Sequence, residues 1–274
     1  MRPFDEHRLP VEVIGLIVRE CSENVSVLTA FALTNKYICG LVTPLLYRTA
    51  GYQFGKHLAP PETILHHPHL AEHIHQYVLE QRINVRHAPA HIQVLCPENA
   101  AYAKLVNLKK LHITIYRGQL ESMLCDAPFQ LDTLVWDDFA ESPLSSAKFC
   151  ETFLAKQTRI RRLKIDFGLE IPPIQLPSCR NLEYLESDFP GLQALMPGRK
   201  VTSLVWLVRG VDCHIRPRSL DCLARVFGHL TVLAFAEVSI NVIDFADATI
   251  AHLTEHLGQL KYLQIPLQVS ALIS

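Results

Sequence analysis

The sequence predicts an α/β chain: a short helical segment at the N-terminus, then a solenoid of parallel strands alternating with helices. Three observations predict it. Apolar stripes at helical spacing occupy the first fifty or so residues. A six-residue apolar signature then recurs down the rest of the chain at roughly 20–30-residue intervals. The stretches between signatures have the composition of helices.

Composition sets the outer bounds. A chain of 274 residues can bury a sizeable core. Apolar residues make up 49% and charged residues 19%, which is a globular and not a disordered balance. The net charge of −1 provides no basic surplus, so nucleic acid is not an expected partner. Nothing approaches the roughly 20 apolar residues of a membrane span, so no membrane partner is expected. The start, Met1-Arg2-Pro3-Phe4-Asp5-Glu6-His7, lacks the apolar region of a signal peptide. The eight cysteines are scattered, and no pair has C-x-x-C spacing. They read as buried small hydrophobes in a reducing compartment, so the cytoplasm, the nucleus or both is the expected location. In that setting Asn24-Val25-Ser26 matches a glycosylation sequon in letters only.

The helical segment spans residues 5–50. Leu9-Pro10 opens it, with proline in the first turn, where its missing N–H has no helical partner in any case. Val13, Ile14, Ile17, Val18 and Cys21 form a two-wide apolar stripe. Ser26 is the expected cap of a second helix carrying Leu28, Phe31, Ala32, Leu33, Tyr37, Ile38 and Leu41. Thr43-Pro44 reads as the cap and first position of a short third helix with Leu45, Leu46 and Tyr47. Residues 51–65, with glycines and prolines from Gly51 to Pro61, read as a linker.

Residues 66–274 repeat the pattern L-x-x-L-x-Φ, where Φ is apolar. Full copies begin at Leu108, Leu131, Ile160, Val201, Leu230 and Leu260, and Leu182 begins a partial copy with Ser187 at the last apolar position. The central leucines are Leu111, Leu134, Leu163, Leu185, Leu204, Leu233 and Leu263, separated by 23, 29, 22, 19, 29 and 30 residues. Those are the periods of divergent leucine-rich repeats, and an ordinary α/β fold is the alternative. Each signature is a strand whose central leucine and Φ point inward, and neighbours must stack because one repeat cannot bury its apolar edge alone. Ser146 to Lys156, Ser219 to Phe227 and Ala248 to Leu257 are the expected intervening helices. After the last strand, Leu267, Val269, Leu272 and Ile273 are apolar where a solenoid end usually needs a polar cap. Either they fold back as a cap or the solenoid is longer than this chain.

The N-terminal residues also carry a family pattern. Leu9-Pro10-x-Glu12-Val13-x-x-x-Ile17, then Leu28, then Phe31-Ala32-Leu33-Thr34-Asn35-Lys36-Tyr37, then Pro44-Leu45-Leu46-Tyr47-Arg48 resembles an F-box. The likeness is to the large fungal group of F-box proteins with degenerate leucine-rich repeats. It covers about 45 residues in order and spacing, and the repeat zone matches in architecture alone. The resemblance implies a three-helix unit that packs on a Skp-type adaptor, which joins it to a cullin–RING ubiquitin ligase. By matching position it assigns Leu9, Pro10, Val13, Ile17, Leu28, Leu33, Leu46 and Tyr47 to contacting the adaptor or shaping that contact. The sequence departs where the family usually has tryptophan at Tyr37 and often at Tyr47. Independently of the family, a segment this small must pack on the solenoid or on a partner.

The implied function is a target-recruiting subunit of an SCF-type ligase, with no catalytic residues, cofactor or metal. A leucine-rich scaffold without a ubiquitin link is the alternative. Lys110, His112, Arg162, Lys164 and Tyr184 are the candidate target-binding residues of the concave face, suited to an acidic or phosphorylated segment. Other motifs weigh less. His69-Leu70-Ala71-Glu72-His73 spells the inverzincin pattern H-x-x-E-H, but His252-Leu253-Thr254-Glu255-His256 spells it again beside apolar repeat residues. Leu70, Ile74 and Val78 read as the buried stripe of an early repeat, with the histidines on its solvated side. No glycine-rich phosphate loop or nucleophile elbow is present.

Overall fold

The structure, a computed structural model, describes residues 9–53, 56–58, 61–80, 102–115, 124, 127–138, 149–167, 179–208, 220–237 and 249–265. Three helices come first: α1 (Val11–Glu20), α2 (Val25–Ala32) and α3 (Lys36–Leu46). Two asparagines start the second and third. The Asn24 side chain accepts the Val27 N–H at 3.2 Å, and that of Asn35 accepts the Ile38 N–H at 2.9 Å. Each satisfies one of the donors that a helix start leaves orphaned.

The expected boundaries therefore move. Ser26 is not the cap of α2; its hydroxyl donates to Asn24, the residue that is. The second helix ends at Ala32, and Pro44 sits inside α3 instead of opening a new helix. A proline there forfeits one hydrogen bond, to the carbonyl four residues back, but the loss is confined to the last turn. The Thr43 hydroxyl bonds back to the Cys39 carbonyl in that same turn at 2.7 Å. Val18, Leu28 and Val42 are the small core of this unit, with Ile14, Phe31, Ile38, Leu45 and Leu46 packed around them.

Only Tyr47 and Arg48 separate α3 from the first strand, β1 (Thr49–Gln53). Within the stretch expected to be a linker, residues 51–53, 56–58 and 61–65 lie in strands and a helix. β1 pairs antiparallel with β2 (Lys56–Leu58), and helix α4 (Pro61–His66) follows. Gly51 misleads a sequence reading because glycine usually breaks strands. Here its φ of 121° and its lack of a side chain let β1 approach β3 (Gln76–Glu80); a Cβ would run into the Val78 carbonyl. A further short helix, α5 (Pro68–Ala71), precedes β3.

The remaining strands are β4 (Lys110–Ile115), β5 (Thr133–Asp138), β6 (Arg162–Ile165), β7 (Tyr184–Ser187), β8 (Ser203–Val208), β9 (Val232–Glu237) and β10 (Tyr262–Gln264). All join one open sheet, ordered β10-β9-β8-β7-β6-β5-β4-β3-β1-β2. Every pairing but β1–β2 is parallel. The α/β class, with helices first and then nine parallel strands in the manner of leucine-rich repeats, is the one the sequence predicts.

Register follows the signature. Leu111, Leu134, Leu163, Leu185, Leu204, Leu233 and Leu263 stand side by side on neighbouring strands. Tyr77 and Ala50 continue that row toward the helices. Ile74-His75-Gln76-Tyr77-Val78-Leu79 is thus one more copy, disguised by a tyrosine at its centre. Leu70, Ile74 and Val78 are buried as expected, but not as one stripe, because Val78 lies on β3 and not on the helix of Leu70.

At each junction the two N–H groups before or at a strand's start converge on one carbonyl of the preceding repeat. His75 and Gln76 bond Arg48, Lys109 and Lys110 bond His75, and the pattern continues to Lys261 and Tyr262 on Thr231. Side-chain amides add to it: Asn107 donates to the Glu72 carbonyl at 2.8 Å and Gln130 to the Lys156 carbonyl at 3.0 Å.

Helices cover the leucine side of the sheet. They include α6 (Phe189–Leu195), α7 (Asp221–Phe227), and turns at 149–152 and 249–253 that tighten into the 3-10 segments Leu154–Lys156 and Thr254–His256. Trp136 stacks on Phe149 at 3.9 Å, and Trp206 stacks with Phe189, Phe227 and Phe235. Ser187, the expected flaw, has a packing role. It is buried, its hydroxyl donates to the Ile165 carbonyl at 2.7 Å, and its small size admits Gly191 of α6. The apolar tail from Leu267 to Ile273 lies outside the described residues.

Candidate functional site

Two surfaces stand out. The first is on the helical unit. Its inward stripe, Ile14, Val18 and Cys21, packs on α2 and α3. Val13, Leu16 and Ile17 recur at the i, i+3, i+4 spacing of a second face, and all three are exposed, Leu16 at 59%. A ten-residue helix apolar on two faces carries more apolar surface than its own unit covers. Leu9, Pro10, Val11, Val25, Tyr37 and Leu33, the last at 83%, are further exposed apolar side chains of the same helical unit.

Of the residues assigned to the adaptor, Leu9, Pro10, Val13, Ile17 and Leu33 are exposed on the helical unit. Leu28 is not: it has 0% exposure and belongs to the unit's core. Leu46 packs against that core, and Tyr47 is half-buried at the end of α3. Leu16 was missed. The i, i+3, i+4 spacing from Val13 was the signal that could have found it.

The second surface is the open face of the sheet, opposite the leucine ladder. Alternate residues on each strand point there. One row across the strands reads Gln76, Lys110, Thr133, Arg162, Tyr184, Ser203, Val232 and Tyr262; the next reads Val78, His112, Val135, Lys164, Glu186, Val205, Ala234 and Gln264. All five residues singled out from the sequence fall in these rows. Arg162, Lys164 and Tyr184 come together on β6 and β7, while Lys110 and His112 stand on β4, with β5 between.

The centre of this face is a linked chain of charges. Lys164 Nζ lies 3.3 Å from Asp137 Oδ1 and 2.9 Å from Glu186 Oε1. The Tyr184 hydroxyl donates to Glu186 Oε2 at 2.9 Å, and the Arg162 guanidinium sits 4.7 Å above the Tyr184 ring. Burial raises the Asp137 pKa, only partly offset by Lys164. Burial alone would lower Lys164, but the hydrogen bond to Glu186 and the two carboxylate charges outweigh it and raise its pKa. Burial, then the Glu186 charge and hydrogen bond, push Tyr184 up to about 12, so it stays a protonated donor. Lys164 is thus committed to internal partners. The missed members, Asp137 and Glu186, lie on neighbouring strands and no linear spacing joins them to Lys164.

The histidine motifs have no shared helical face. α5 ends at Ala71, before Glu72 and His73. His256 lies in a 3-10 turn, and His252 pairs with Asp221 at 3.0 Å. Among the described residues no three His, Cys, Asp or Glu side chains gather as a metal site, and no helix is long and apolar enough to cross a membrane. Cys150 is buried, which raises its thiol pKa to about 12 and makes it a poor nucleophile. No model of a known protein family matches the chain, and no curated protein matches its sequence.

Proposed function

We propose that this chain is the target-recruiting subunit of an SCF-type cullin–RING ubiquitin ligase. The outward apolar stripe Val13–Leu16–Ile17, with the exposed Leu9, Pro10 and Leu33 of the same unit, carries this reading. Exposed apolar surface of this extent on a small helical unit calls for a partner. The F-box likeness of the same residues supplies the identity of that partner, a Skp-type adaptor. The open face of the sheet holds the target protein. The chain does no chemistry; it raises the local concentration of target at the ligase.

The test is a pull-down of the full chain with a purified Skp-type adaptor, alongside a Leu9→Ala, Pro10→Ala double variant and a Leu16→Ser, Ile17→Ser variant. These side chains are exposed, so the fold is expected to survive. Loss of an interface hot spot costs about 2 kcal/mol or more, roughly a 30-fold weaker complex. Wild-type binding that both variants lose supports the proposal. A folded wild type that does not bind leaves a leucine-rich scaffold without a ubiquitin link, the reading favoured by Tyr37 and Tyr47 standing where the family has tryptophan.

A further inference from the structure

We infer that the open face of the sheet binds an acidic peptide segment laid across the strands, with Lys110 and Arg162 as its two anchoring cations. This rests on the proposal that the face recruits a target, and it names the target's chemistry.

Lys164 is one of the three cations the sequence offers on this face, yet Asp137 and Glu186 already occupy it. Lys110 and Arg162 are exposed, and neither makes an ion pair among the described residues. Both lie in one row of the sheet, with Thr133 of β5 between them. Arg162 is held ready. Its guanidinium lies on the Tyr184 ring, the Tyr184 hydroxyl is fixed by Glu186, Glu186 by Lys164, and Lys164 by Asp137. Among the described residues no hydrogen bond or ion pair engages the guanidinium, so its N–H groups are open to grip a carboxylate in pairs.

Spacing indicates the ligand. Two strand separations put Lys110 and Arg162 about 10 Å apart at the backbone, the length of about three residues of extended peptide. Two separate carboxylates fit that better than one phosphate. Beyond Tyr184 the face turns apolar, with Val205, Val232 and Ala234. Val232 is three strands from Arg162, about 14 Å, or about four residues of extended chain. The favoured segment thus has two acidic side chains about three positions apart, then an apolar one about four positions on.

The test is fluorescence anisotropy of the full chain with a labelled synthetic peptide of that pattern, its glutamine counterpart and its phosphoserine counterpart. Lys110→Gln, Arg162→Gln and the double variant are compared, with circular dichroism to verify folding. The expected result is salt-sensitive binding of the glutamate peptide, weakened about tenfold by each single change and lost in the double variant. Tyr184→Phe, which keeps the ring but frees it from Glu186, is expected to weaken binding by a smaller factor. Equal binding of the glutamine peptide, undiminished binding by the double variant, or no glutamate-peptide binding by folded wild type would each overturn the assignment. Binding of the phosphoserine peptide alone would overturn it in favour of a phosphate site. Adaptor pull-down on the same preparation separates the two ideas. Peptide failure with adaptor binding intact removes this inference alone, and adaptor failure with peptide binding intact removes the ligase reading alone.

Discussion

Lys164 shows how one side chain can be read two ways. As a residue of the open face it looks like a ligand-binding cation; as a neighbour of Asp137 and Glu186 it is a structural counter-ion. Lys164→Met would leave two carboxylates facing each other with no cation between them. The expected loss is about 1–3 kcal/mol by urea unfolding at neutral pH. The sign of the pH dependence follows from its raised pKa. Its stabilisation is present below the unfolded value of 10.5 and is lost as pH climbs through the higher folded value, so wild type and Lys164→Met converge in strong alkali. Asp137 is also raised, but it is an acid, so ionising it weighs against folding at neutral pH. Asp137→Asn is therefore expected to be as stable as wild type or more so, by less than about 1 kcal/mol. That difference should close as pH falls through the folded Asp137 value toward 3.8. A clear destabilisation at neutral pH would contradict this account.

Equivalent positions in a repeated element need not cost the same. Leu204 and Leu263 are both central leucines of the same signature and stand in the same row. Leu204 is sealed between β7 and β9 under α6 and α7, with 0% exposure. Leu263 is on the last described strand and 45% exposed. Leu204→Ala is expected to cost about 2–5 kcal/mol, and Leu263→Ala under about 1, in denaturant unfolding. Gly191 obeys the same logic of place. In a solvated helix, alanine would be an improvement. Here the added carbon would meet Ser187 Oγ and the Phe167 ring, so Gly191→Ala is expected to destabilise. A stabilised variant would show that α6 can lift from the sheet.

At the scale of the whole molecule, the junction between helices and sheet matters most. Tyr47 and Arg48 are the entire connection, and the Arg48 carbonyl takes hydrogen bonds from His75 and Gln76. The helical unit is thereby tied into the first rung of the solenoid, with no free linker. If the chain recruits targets by proximity, this tie sets where the target sits relative to the ligase. Inserting Gly-Gly between Tyr47 and Arg48 is expected to leave adaptor and peptide binding within about twofold but to lower ubiquitin transfer in a reconstituted assay by about tenfold or more. Unchanged transfer would show that the coupling is incidental.

The sequence alone determined the class of this protein: helices first, then parallel strands marked by seven leucines that fall into one register. A strand's central leucine is chosen by burial on one face, and burial leaves a period in the letters. The same is true of the outward stripe of α1, visible at Val13 and Ile17. What only the tertiary structure decided is where that period is disguised and which groups meet. Tyr77 and Ala50 stand in the leucine row without being leucines, because neighbouring strands supply the ladder that their letters do not advertise. Gly51 is a strand residue because another backbone comes close. Ser187 is an adjustment to Gly191 and not a flaw. The commitment of Lys164, and with it the openness of Arg162, depends on carboxylates from β5 and β7. Residues 27 and 22 positions away in the chain carry no periodic signal of their own. Parallel strands bring them to neighbouring places, and charge acts through space and not along the chain.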